Sequence, residues 1–240
     1  IYAKFTDSSG NVNTKEISEY IEIDTTVPTI EFELLNTEKV ANNYNFTFQL
    51  SARDNKNIIF EKLFGENLAT SNTVGNINWA SIPPTQIINE ERTLTVPDTE
   101  AEGVLRFTWE VKDDFGNESA NSSISIDFDK TIPIISSLDY KNIEKGSAFY
   151  RIFANLSAID SVGVTAYRAD FDDVANATWQ TITANTHIDE EIYLDFPVTE
   201  FGNTKNFVVE VQDYLKNISA NVSFDVAPNM SIPIGNASIS

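Results

Sequence analysis

The stretch "FTWEVKDDFGNESANSSISIDFDKTIP" runs from Phe107 to Pro133 and decides the fold. Apolar residues alternate with polar ones through Phe107, Trp109 and Val111. Asp113 then opens a turn that ends at Asn117. A second alternating run (Ile124, Ile126, Phe128) leads into a short linker closed by Pro133. Period-two alternation bounded by Asp, Gly and Asn is the pattern of half-buried antiparallel strands joined by a tight turn.

The same pattern occurs twice more, as "YAKFTDSSGNVNTKEISEYIEIDTTVP" from Tyr2 and "FVVEVQDYLKNISANVSFDVAPNMSIP" from Phe207. Asp113 and Asp213 lie 100 positions apart, as do Trp79 and Trp179, Leu94 and Leu194, and Pro133 and Pro233. Upstream the offset becomes 106: Tyr44 matches Tyr150, and "LSARD" (Leu50 to Asp54) matches "LSAID" (Leu156 to Asp160). The second copy is thus six residues shorter between Asp54 and Trp79, a length change that belongs to a loop or edge hairpin. A fixed-period repeat divides the chain before any other consideration. Residues 1–26 are expected to be the last strands of a preceding domain, 27–131 and 132–231 whole domains, and 232–240 the head of another. Boundaries are expected just before Pro28, Pro133 and Pro233, because Pro suits an extended linker entering a first strand.

Within each copy the strands Tyr44–Ala52 and Tyr150–Ala158 alternate in the same way, and no helical period competes. About seven short strands per copy, with frequent turns, describe an all-β chain of antiparallel β-sandwiches. The isolated tail at 1–26 is expected to expose an apolar side that includes Ile21 and Ile23, because a lone hairpin is marginal in water.

Composition narrows the function. The chain has 240 residues, 16 basic against 36 acidic, and a net charge of -20. That excludes phosphate-backbone binding, which needs clustered Lys and Arg, and argues against docking on an anionic membrane. There is no Cys, so disulfides and thiolate chemistry are absent. The single His187 sits in a polar stretch and reads as a surface residue, and no phosphate loop, nucleophile elbow or zinc-protease motif occurs. No apolar run is long enough to span a bilayer. The reading is a chain that is not an enzyme. Trp79 and Trp179 recur at equivalent positions, which favours a core or sheet role over a sugar-stacking platform.

The stretches "TDSSGNVNTKEISEYIEIDTTVPTI" and "KDDFGNESANSSISIDFDKTIPII" resemble the end-of-domain signature of bacterial and archaeal Ig-like repeats. There an x-D-x-x-G-N turn joins the last two strands and D-x-T-x-P links to the next domain. The copy at "QDYLKNISANVSFDVAPNMSIPI" departs, with Lys216 in place of the Gly and Asn229 in place of the linker Asp. The resemblance implies tandem Ig-like sandwiches of the kind found in S-layer proteins, giant adhesins and other cell-surface stalks. It also implies linker carboxylates that bind calcium and stiffen a rod.

The residues themselves point the same way. An Asp closes the early strand in each copy (Asp54, Asp160) and another opens the late turn (Asp113, Asp213), while the linkers carry Asp24, Asp127 and Asp129. Converging carboxylates repel unless a hard cation with several oxygen ligands sits among them. Calcium is therefore the expected cofactor. For the junction near Asp129 the ligands expected are Asp54, Asp113, Asp127 and Asp129. Against this stands the ordinary use of Asp as a turn residue. Nine N-x-S/T sequons begin at Asn45, Asn117, Asn121, Asn155, Asn176, Asn217, Asn221, Asn229 and Asn236, as expected of a glycosylated exported protein.

The function expected is a structural segment of a long extracellular cell-surface protein, an S-layer or stalk component. Its expected partners are adjacent surface domains or other copies of the same protein. The competing readings are an adhesin whose Ig-like domains hold a receptor or glycan site, and an accessory module of a secreted hydrolase. An exposed aromatic cluster present in one copy and absent from the other would favour the adhesin.

Overall fold

A computed structural model describes residues 2–16, 22–198, 204–226 and 238–239. Among them there is no α-helix. Every sheet pairing is antiparallel.

The first sandwich is built from β3 (Thr29–Val40), β4 (Asn43–Asn67), β5 (Thr73–Pro97), β6 (Gly103–Asp113) and β7 (Ser122–Phe128). Its two longest strands serve both layers. The first half of β4 pairs with β3 and with the end of β5, from Asn43↔Pro97 to Arg53↔Ile87. Register then breaks between Arg53 and Ile58, and the second half pairs with β6 and the start of β5. The sequence predicts seven short strands here, but the structure runs five. At Asp54 the chain bends rather than turns, and the Asp54 carboxylate accepts the Lys56 N–H at 2.7 Å in place of a ladder partner. A bulge of this kind redirects a strand without ending it.

The alternation explains the core. Tyr44, Phe46, Phe48, Leu50 and Ala52 of β4 face inward and meet Phe107, Trp109 and Val111 of β6. Phe107 packs 4.9 Å from both Phe46 and Phe48, ring centre to ring centre, and Tyr44 meets Phe128 edge-on at 5.0 Å. Fully burying each such side chain is worth about 1.5–3 kcal/mol, which holds the layers together without disulfides.

The second sandwich repeats this with β8 (Ile134–Lys145), β9 (Phe149–Phe171), β10 (Gln180–Pro197), β11 (Lys205–Asp213) and β12 (Val222–Val226), plus the short β13 (Ser238–Ile239) beside β12. Its strand β9 bends at Asp160–Gly163, where Val162 and Gly163 donate to the Asp160 carboxylate, both at 3.0 Å. The six-residue difference falls in the outer hairpin: β5 begins at Thr73, six residues before Trp79, whereas β10 begins directly after Trp179. Pro28 and Pro133 stand immediately before β3 and β8. Pro233 lies outside the described residues.

Ahead of both sandwiches, β1 (Tyr2–Thr6) and β2 (Val12–Glu16) form a separate two-stranded hairpin with Phe5 and Val12 exposed. Ile23 is exposed too, while Ile21 lies outside the described residues.

Candidate cation site and the interdomain junction

Three copies of one turn organise the sites. In each, an Asp carboxylate holds the Asn four residues on. Asp113 accepts the Asn117 N–H at 2.8 Å on one oxygen and the Asn117 side-chain amide at 2.7 Å on the other. Asp213 and Asn217 repeat this at 2.8 and 2.7 Å, Asp7 and Asn11 at 2.9 and 2.8 Å. The residue before the Asn sits at positive φ in all three: Gly10 at 85°, Gly116 at 89° and Lys216 at 70°. The same Asn also reaches the linker that enters its own sandwich. Asn117 Nδ2 donates to the Asp24 carbonyl at 3.2 Å, and Asn217 Nδ2 to the Asp129 carbonyl at 3.0 Å.

Because β4 bends and β6 ends at the pole where the linker enters, Asp24, Asp54 and Asp113 converge. Each offers an oxygen within 4.8 Å of the others. Oxygens ligating one calcium at 2.3–2.6 Å are at most about 5 Å apart, so this spacing fits one ion. Asp54 is more than nine-tenths buried, and its Oδ2, like that of Asp24, has no hydrogen-bond partner. Burial pushes the Asp54 carboxyl up against the Lys56 N–H that opposes it, and the Asp113 and Asp24 charges add to the rise. Asp24 is partly desolvated as well, but hydrogen bonds from Thr26 and Asn55 hold it below the ordinary range. Two buried oxygens without donors, beside a third carboxylate, form a site suited to a hard cation.

The ligand grouping expected from sequence is therefore corrected. Asp54 and Asp113 sit with Asp24, not with Asp129, since the bend and the turn lie at the entry pole of their sandwich. Asp127 projects from the exposed side of β7 and joins no metal-type cluster among the described residues. Asp129, Asp160 and Asp213 occupy the corresponding pole of the second sandwich and interact electrostatically in sequence, Asp129 with Asp160 and Asp160 with Asp213. There Asp129 is committed to the Thr131 N–H at 2.8 Å and to the Ser161 hydroxyl. Burial raises Asp160 and pushes Asp213 up to about 6, against the donors of Asn217.

What differs most between the poles is the turn itself. Leu215, at the tip of the second turn, is 0% exposed and belongs to the core of the first sandwich. Around it Thr37 donates its hydroxyl to the Tyr214 carbonyl at 2.9 Å. Asn217 Oδ1 accepts from the Tyr44 hydroxyl at 2.7 Å and from Lys39 Nζ at 2.9 Å. The sequence reading missed this contact. Its signal was present: an apolar residue at the centre of a polar turn, recurring at Phe115 and Leu215.

The sequons divide. Asn121, Asn155, Asn176 and Asn221 are exposed, and Asn45 is half-buried with Oδ1 accepting from Thr95 at 2.9 Å. The side-chain nitrogens of Asn117 and Asn217 are taken by the turn and linker bonds above. The Ser of each of these two sequons also serves the fold, Ser119 and Ser219 accepting from the Val111 and Val211 N–H at 3.1 and 3.0 Å. These two sequons are therefore turn chemistry, with both side-chain N–H groups of each Asn engaged where a glycan would attach. Asn229 and Asn236 lie outside the described residues.

Trp79 and Trp179 occupy the sheet surface rather than the core. Lys62 and Lys112 stand over the Trp79 ring at 4.8 and 4.4 Å, and Arg168 over Trp179 at 4.7 Å. The core tryptophan is Trp109. His187 is exposed on β10, 3.5 Å from Asp189.

No protein-family model matches the chain, and no curated protein matches it in sequence. Among solved structures it is similar to red sea bream transglutaminase at 9% identity and a TM-score of 0.28, over 85% of this chain and 31% of that one. The chain thus spans about a third of that structure's length. No helix among the described residues is long and apolar enough to cross a membrane.

Proposed function

We propose that the chain is a non-enzymatic structural segment of a long extracellular cell-surface protein, an S-layer or stalk component built of tandem Ig-like sandwiches. The observation that carries this reading is Leu215. A side chain of one sandwich completes the core of its neighbour, so successive domains are coupled as one strut. The acidic surface suits a saline or calcium-rich exterior, where cations screen self-repulsion. Asp24, Asp54 and Asp113 are the proposed calcium ligands, fixing the linker to the pole of the sandwich it enters. Partners on this reading are neighbouring surface domains or further copies.

The test is scattering and calorimetry of the full chain in calcium and in chelator. A rise in melting temperature with calcium, abolished in Asp54→Ala, supports the site. Identical behaviour in both conditions leaves the three carboxylates as turn residues.

One observation favours the adhesin instead. On the outer face of the second sandwich Arg151 stacks over Tyr193 at 4.1 Å and over Phe149 at 5.4 Å, and Phe153 lies 5.9 Å from Tyr193. Asp195 clamps Arg151 with two bonds of 2.7 Å. The equivalent positions of the first sandwich are Asn43, Asn45, Thr47 and Thr93. An aromatic ladder in one copy only is a candidate glycan face. Binding to an oligosaccharide array that is lost in Tyr193→Ala would establish it, and an array with no signal would remove it.

A further inference from the structure

The two poles carry the same turn in different states. At the second, Leu215 is buried in the neighbouring sandwich and the Asn217 side-chain oxygen is filled by Tyr44 and Lys39. At the first, the equivalent Phe115 is 41% exposed, and no hydrogen bond reaches Asn117 Oδ1 among the described residues. The backbone is already set: Asp113 holds Asn117 as Asp213 holds Asn217, and Gly116 takes the conformation of Lys216. Within its own sandwich the Phe115 ring meets the Lys56 ammonium at 5.7 Å and belongs to no apolar core. In the hairpin copy that tip position is Ser9.

The receiving end also repeats. Lys39 lies over the Tyr44 ring at 4.8 Å, and in the second sandwich Lys145 lies over Tyr150 at 5.7 Å. Both pairs sit across the first hairpin of their sandwich, β3–β4 and β8–β9, far from the acidic pole.

We propose that the Asp113–Asn117 turn is a docking plug whose partner is another sandwich of this repeat class, one presenting a Tyr–Lys socket like Tyr44 and Lys39. Phe115 enters the open end of that partner's core as Leu215 enters the first sandwich, and Asn117 Oδ1 accepts from its Tyr hydroxyl and Lys ammonium. Docking covers the Asp24, Asp54 and Asp113 pole, so that plug and cation act at one joint. The inference rests on the tandem reading above and extends it to the pole that has no neighbour among the described residues.

The experiment transplants the plug within the full chain. The triple variant Tyr214→Asp, Leu215→Phe, Lys216→Gly places the sequence of the first turn against the Tyr44 socket, with Leu215→Ser as the undocked control. Small-angle scattering reads the maximum dimension, and fluorescence in a Trp79→Phe, Trp179→Phe background, where Trp109 alone emits, reports that the first sandwich is folded. If Phe115 is a plug, the triple variant keeps the wild-type dimension while Leu215→Ser lengthens and broadens it. A triple variant as loose as Leu215→Ser overturns the proposal and leaves the tandem reading standing. A Leu215→Ser chain that matches wild type removes the tandem reading and this proposal together. Phe115→Ser should leave the melting temperature of the chain unchanged. A fall comparable with that of Leu215→Ser would place Phe115 in its own core and overturn the plug.

Discussion

The Asn217 side-chain oxygen accepts a hydrogen bond from the Tyr44 hydroxyl at 2.7 Å, joining the turn of one sandwich to the hairpin of the other. Neither residue is spare at this place. Tyr44 is a core aromatic of the first sandwich, and Asn217 ties the second sandwich to its own linker through Asp129. One amide therefore satisfies three elements, and the junction is part of both folds.

Truncating Leu215 tests the apolar half of that junction. Leu→Ala at a fully buried site costs about 2–5 kcal/mol. The loss in Leu215→Ala should appear in the unfolding of the first sandwich, although the residue belongs to the second. Urea denaturation followed by fluorescence, in a Trp79→Phe, Trp179→Phe background where Trp109 alone emits, measures it. A shift confined to the second sandwich would mean that the two cores are separate.

Asn217→Ala tests the polar half. It leaves the buried Tyr44 hydroxyl without its acceptor and strips the side-chain amide donor from the buried Asp213, whose bond from the residue 217 N–H remains. A loss of about 2–6 kcal/mol is expected from these two groups at roughly 1–3 kcal/mol each. Hydrogen exchange should report faster opening at the β11–β12 turn, with the outer hairpin of the first sandwich unchanged.

How much of this was legible in the sequence follows from distance along the chain. The strand alternation of Tyr44–Ala52 and Phe107–Val111 is local, and it put the correct faces inward. The Asp113–Asn117 turn was legible as a turn, but its reach to Asp24, 93 residues away, was not. The acidic residues were identified individually and grouped by the wrong junction, because alternation does not show that β4 bends through both layers at Asp54. Leu215 was visible as an apolar residue in a polar turn, but its destination was not: a turn residue has no periodic partner to declare which core it enters.

Protonation of Asp213 sets a pH dependence whose sign is the reverse of a salt-bridged carboxylate. Burial lifts it from 3.8 to about 6, so the folded state favours the protonated form. Its stabilising contribution is fully present below 3.8 and is lost as pH rises through about 6. In chelator the chain should lose up to about 3 kcal/mol between these limits from this group, at about 1.4 kcal/mol per unit. Asp54 and Asp160, also raised by burial, act in the same direction. Denaturation across pH should show a slope that Asp213→Asn reduces, and an unchanged slope would locate the titration elsewhere.

Asp54→Asn should behave oppositely in the two ionic conditions. Without calcium it relieves repulsion from Asp24 and Asp113 and should melt higher than wild type. With calcium it loses a charged ligand and should melt lower. A calcium titration of both proteins by calorimetry reads the crossing.

Lys216 holds φ at 70° where the other two turns use Gly. A non-Gly residue in that region costs about 1 kcal/mol. Lys216→Gly should therefore stabilise the second sandwich by a comparable amount, measured as a higher urea midpoint with the same slope.

The pairing of β3 with β4 runs from Thr29↔Arg53 at the entry pole to Val40↔Asn43 at the far end. The chain enters the first sandwich at Thr29 and leaves it after Phe128, where β7 finishes beside the start of β6 at the opposite pole. Tension along the chain therefore pulls β3 parallel to its own length, and its ladder is loaded in shear. Every hydrogen bond of that ladder then carries a share of the force at once, whereas a zipper geometry would part them singly. A sandwich threaded in this way yields late under load, a mechanical property set by where its two ends emerge.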